Sequence, residues 1–137
     1  NDIVKFYQPS FREIERVLSY FSIINNMLGS QRYLDNYQYM ISMVCYLKAC
    51  QPNCLKVVNG KLNSSHIIEA ARLDEIDSSA SYYSLQYVNK LVRFDLADED
   101  TRKQMLEERE IQIDRMGRTP QNLLKTISSW LSEINPS

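Results

Sequence analysis

Only 3 Gly and 4 Pro punctuate 137 residues. A chain with so few breakers has little material for tight hairpins, and long helical segments are the natural outcome. Gly29, Pro52, Gly60 and Gly117 each sit where an apolar helical pattern stops. The sequence therefore predicts an all-α fold, an irregular bundle of about seven helices.

The first helix has the clearest signature. Ser10-Phe11-Arg12-Glu13 is a capping box, in which the Ser hydroxyl and the Glu carboxylate each accept from the other's amide. Phe11, Ile14, Val17, Leu18, Phe21, Ile24 and Leu28 then recur at helical spacing, and Gly29 is the stop. A second helix is expected from about Asn36 to Cys50, with Tyr37, Met40, Ile41, Val44 and Leu47 on one face. Pro52 ends it and is expected to open a short helix carrying Leu55 and Val58 up to Gly60.

Asn63 and Ser64 are caps for a helix with Ile67, Ile68 and Ala71. Residues 74–79 read as a polar turn. Tyr83, Tyr87, Val88, Leu91 and Val92 make an amphipathic stretch to Phe94. Asp98 and Asp100 open a charged helix, expected to reach Met116 and to stop at Gly117. Its apolar stripe is thin: Met105, Leu106, Ile113 and Met116. Thr119-Pro120 opens the last helix, with Leu123, Leu124, Ile127, Trp130, Leu131 and Ile134. No stretch combines strict alternation with turn dipeptides at both ends.

A length of 137 residues suits one domain. The net charge of −1 gives no broad positive field, so nucleic acid is not an expected partner. No apolar run is long enough to span a bilayer, and residues 1–7 do not read as a signal peptide. Cys45, Cys50 and Cys54 make an odd set, which fits reduced thiols in a cytoplasmic setting. The first residue is Asn1 rather than Met, as in a piece of a longer protein.

Candidate chemistry is sparse. Cys45, Cys50, Cys54 and His66 are four potential zinc ligands, but their spacing matches no finger pattern, and cysteines packed as small apolar residues explain it better. His66 is the sole histidine, so any nucleophile–His device depends on it. Asp95, Asp98, Glu99 and Asp100 read as a solvated cap rather than an acid–base pair. Gly29, Gly60 and Gly117 lie too far apart for a phosphate-binding loop. No catalytic residue and no metal site is expected in this chain. Tyr82, Tyr83 and Tyr87, with Lys90 and Arg93 nearby, form the candidate partner-binding group. Stacking on single-stranded bases is a weaker use for them.

Two stretches go further. Residues 10–18, Ser-Phe-Arg-Glu-Ile-Glu-Arg-Val-Leu, and residues 47–62, Leu-Lys-Ala-Cys-Gln-Pro-Asn-Cys-Leu-Lys-Val-Val-Asn-Gly-Lys-Leu, resemble the helical region that follows the nucleotide-binding core in KAP-family P-loop NTPases. The likeness covers roughly residues 7–72. The family's Walker motifs and its membrane segments are not in this sequence. The resemblance implies a lid-like or regulatory domain, the C-terminal part of a longer ATPase. ATP and Mg would then be bound by the upstream core, and that core would be the first partner. Arg12 and Arg16 become candidate sensors of the nucleotide's phosphates. The family's likeness to phage-exclusion ATPases makes prokaryotic defence an expectation. The alternative is a stand-alone helical module that binds another protein.

Overall fold

A computed structural model describes residues 2–28, 35–78, 82–111 and 123–133. Among these residues there are eight α-helices and one two-stranded ladder. The helices are α1 (Asp2–Tyr7), α2 (Phe11–Leu28), α3 (Asp35–Cys50), α4 (Ser64–Ala70), α5 (Leu73–Asp77), α6 (Tyr83–Leu96), α7 (Glu99–Glu107) and α8 (Leu123–Ser132). A 3₁₀ turn at Pro52–Leu55 and strands β1 (Val57–Val58) and β2 (Lys61–Leu62) lie between α3 and α4. The fold is an all-α multi-helix bundle.

The central element is α3. Met40, Ile41, Met43, Val44, Cys45, Tyr46 and Leu47 are all buried, so the helix is enclosed nearly all round. It packs against α2, α6, α8 and the 3₁₀ turn. Ile24 seals the α2 side, Leu85, Val88, Leu91, Val92 and Phe94 the α6 side, and Leu124, Ile127 and Leu131 the α8 side. Each set recurs at three- and four-residue intervals, which turns one face of each outer helix inward.

Three local expectations need correction. Residues 56–62 form a hairpin rather than the end of a helix reaching Gly60. Val57 pairs with Leu62 and Val58 with Lys61. Asn59 and Gly60 both take positive φ, at 54° and 74°. An Asn-Gly pair with this conformation matches the twist of two antiparallel strands and turns the chain in two residues. Residues 74–77 belong to α5 rather than to a turn. Arg72 adopts a left-handed conformation with φ of 54°, which breaks the chain between α4 and α5, while Leu73 and Ile76 are fully buried. The charged helix α7 ends at Glu107, with Arg109 at φ 57° just beyond it. The stretch from Ile113 through Gly117 to Pro120, Ile134, the Gly29 stop, and the side chains of Tyr37 and Leu123 lie outside the described residues.

Helix α1 has only six residues, and the sequence pattern did not point to it. Ile3 and Tyr7, one turn apart, are buried. Asp2 ties it to α6, accepting from the Ser84 hydroxyl at 2.6 Å and the Ser84 amide at 3.2 Å.

The acidic cluster splits into two caps. Asp98 accepts from the Thr101 amide at 2.8 Å and opens α7. Asp95 is buried at 8% exposure and accepts from the Leu124 amide at 2.6 Å, at the start of α8. A carboxylate there satisfies an otherwise orphaned amide and meets the positive end of the helix. Asp95→Ala is expected to cost about 2–3 kcal/mol in urea unfolding. Asp95→Asn retains an acceptor and should lose clearly less; equal losses would mean that the Leu124 bond is not the cause.

Candidate functional site

The two stretches that carry the family resemblance meet in space. The capping box forms as read: the Ser10 amide donates to Glu13 Oε1 at 2.8 Å, and the Glu13 amide donates to Ser10 Oγ at 3.2 Å. The Cys50 thiol at the end of α3 and the Ser10 amide hold the Glu13 carboxyl below its usual range. On the same helix as Cys50, the Tyr46 ring stacks on Tyr7 at 4.2 Å between centroids. The Tyr7 hydroxyl donates to the Ala71 carbonyl at 2.7 Å. Tyr7 thus joins α1 to α3 through the stack on Tyr46 and to the end of α4 through its hydroxyl.

The three thiols and the phenols of Tyr7 and Tyr46 are held neutral. Burial pushes Cys45 up to about 12 and Cys54 up to about 11. Burial first, then the neighbouring Glu13 carboxylate, pushes Cys50 up to about 12. Burial first, then the neighbouring Cys50, pushes Tyr46 up to about 12, and Tyr7 rises mainly through burial. These thiols are poor nucleophiles. The linkage has one sign: the unfolded chain releases these protons first, from thiols near 9.0 and phenols near 10.0. Their contribution to stability is complete below pH 9 and declines as pH rises toward 12. Thermal midpoints measured from pH 8 to 11 should fall steadily above pH 9; a flat profile would contradict the burial of these groups.

The sequence-derived candidates separate. Arg12 and Arg16 are exposed on α2. Neither forms an ion pair among the described residues. Phe11, 77% exposed, and Leu18, 61% exposed, lie two turns apart on one stripe, and Arg12 and Arg16 lie further round the helix. Ile14 and Phe21 are half-buried along the same flank. Sequence periodicity placed Phe11 and Leu18 with the core face. The structure buries Ile24 as expected, adds Tyr20 to the buried face, and leaves Phe11 and Leu18 outside it.

Tyr82 is half-buried, edge-on to Phe6 with centroids 5.1 Å apart. Tyr87 is half-buried against the core. The Tyr83 side chain lies outside the described residues. Arg93, once a candidate neighbour for stacked bases, is engaged otherwise: its guanidinium donates to Asn89, Asp74 and Asp77, each at 2.9 Å. His66 is exposed at the start of α4, whereas Cys45 and Cys54 are buried. Among the described residues no three His, Cys, Asp or Glu side chains gather into a metal-binding group. No described helix is long and apolar enough to cross a membrane.

The feature that sequence reasoning missed is a cleft of about 950 Å³ beneath the hairpin, lined in part by Lys56, Lys61, His66 and Arg72. The Asn59-Gly60 pair was the available signal. No protein-family model, curated protein or solved structure matches this chain.

Proposed function

We propose that this chain is a non-catalytic helical domain that acts as a lid on the nucleotide-binding core of a KAP-type P-loop ATPase, docking through the exposed flank of α2. The observation that carries the reading is that α2 exposes both an apolar stripe, Phe11 and Leu18, and two cations, Arg12 and Arg16, that form no ion pair among the described residues. An apolar stripe supplies contact area. A guanidinium in the first turn supplies a charge that can be aimed at a phosphate. Glu13 accepts from the Ser10 amide at its own cap, and no salt bridge among the described residues joins it to Arg12.

The rest of the chain supports a positioning role rather than a chemical one. The thiols are buried or held neutral, and Asp95 and Asp98 serve as caps. ATP and Mg would be held by the core, and Arg12 would meet the terminal phosphate only when the lid is closed. Lid position would then depend on nucleotide state. The reading requires Walker A and Walker B sequences encoded ahead of Asn1, and their absence from the gene would overturn it. A stand-alone interaction module would use the same α2 flank against another protein.

Surface substitutions test the docking face. Phe11→Asp with Leu18→Asp removes the apolar stripe at exposed positions, so the fold should change by no more than about 0.5 kcal/mol per site. Binding of this domain to the separately produced core should weaken at least about tenfold. Undiminished binding would place the interface elsewhere.

A further inference from the structure

The cleft beneath the hairpin takes no part in the α2 reading. Its floor and walls come from the 3₁₀ turn, the hairpin, α4 and the corner before α5. Lys56 leads into β1, Lys61 lies in β2, His66 sits in the first turn of α4, and Arg72 occupies the corner. All four line the same cleft, and Glu69 is the sole carboxylate in its lining.

Arg72 is held in place. Its guanidinium lies 4.5 Å from the centroid of the Phe6 ring and 2.5 Å from Glu75. Lys56, Lys61 and His66 form no ion pair among the described residues. Glu75 offsets the charge of Arg72, which leaves Lys56 and Lys61 as the two cations of the cleft without an ion pair among the described residues. Placing them on one concavity costs electrostatic free energy and contributes nothing to the core. In a chain of net charge −1 the concentration is local. Concave walls of lower dielectric focus such a field on the space between them. Val58, Leu62 and Ala70 add an apolar wall to the same cleft. The volume falls within the range of small-molecule sites.

We propose that this cleft binds a small phosphorylated organic ligand, its phosphates facing Lys56, Lys61 and His66 and its organic body lying against Val58 and Leu62. Lysine ammonium groups serve as point-charge phosphate binders. A concave site with an apolar wall suits a compact ligand better than a polymer backbone, which calls for an extended basic stripe.

His66 is the sole histidine, so its imidazole proton resonances are an unambiguous reporter. The 137-residue chain is titrated with pyrophosphate and with adenosine diphosphate at constant ionic strength. The expected result is a saturating displacement of the His66 signals, at lower concentration for the diphosphate that carries an organic body. Lys56→Ala combined with Lys61→Ala, both at exposed positions, should weaken binding at least about tenfold with an unchanged circular dichroism spectrum.

A non-saturating drift, or the same displacement by equivalent chloride, would overturn the proposal. So would tighter, steeply salt-dependent binding of a single-stranded oligonucleotide, which would reassign the cleft to nucleic acid. The measurement needs no ATPase core, so failure here leaves the α2 reading standing, and failure of that reading leaves this one standing.

Discussion

Phe94→Ala is expected to cost about 3–5 kcal/mol and to lower the thermal midpoint by more than about 10 °C. Phe94 is 1% exposed, and it is among the largest fully enclosed side chains in the molecule. It lies in the last turn of α6, the helix that touches α1, α3, α5, α7 and α8. The cavity left by a ring at such a junction cannot close by the movement of one neighbour. The substitution also removes the ring from beneath Arg102, whose guanidinium stands 6.0 Å from its centroid and donates to the Phe94 carbonyl at 3.0 Å. The backbone bond survives truncation, so the loss is one of packing. Phe94→Leu should recover much of it; a loss below about 1 kcal/mol for the Ala variant would mean that the α6 junction is not part of the core.

The legible parts of the fold are those where pattern and punctuation agree. The capping box at Ser10 and Glu13, the Asn63 cap and the Asp98 cap each form at the residues that signal them. Local side-chain-to-backbone bonds depend on few distant contacts, so they can be read from spacing. The helices α1 and α5 were not legible, because six and five residues cannot display a period. They exist because Ile3, Tyr7, Leu73 and Ile76 are buried by neighbours distant in sequence. The hairpin was obscured because helix-like apolar spacing at Leu55 and Val58 competed with the Asn-Gly turn, and the turn geometry prevailed.

The site divides in the same way. Arg12 and Arg16 could be picked out from residue type and spacing. The exposure of Phe11 and Leu18 on the same helix could not, since a seven-residue apolar repeat does not say which part of a wide stripe faces inward. The basic cleft was invisible because Lys56 and Arg72 are far apart in sequence and are gathered by two left-handed turns, at Asn59 and Arg72.

The lid reading assigns its largest functional effect to one side chain. Arg12 is exposed, outside the core and outside the capping bonds of its own turn. Its truncation should therefore leave folding unchanged. If its guanidinium meets charge developing on the transferred phosphoryl group, the loss falls on the chemical step rather than on nucleotide affinity. Removal of one such donor reduces turnover by about 100-fold, and Arg12→Lys should restore part of it by returning the charge without the planar fork. Arg16, one turn further along α2, should have a smaller effect.

The most direct measurement is steady-state ATP hydrolysis by the intact polypeptide carrying Arg12→Ala, with the thermal midpoint measured in parallel. The account expects kcat to fall by about 100-fold, with KM for ATP and the midpoint nearly unchanged. Hydrolysis at the unsubstituted rate would contradict it, and would remove Arg12 from the mechanism.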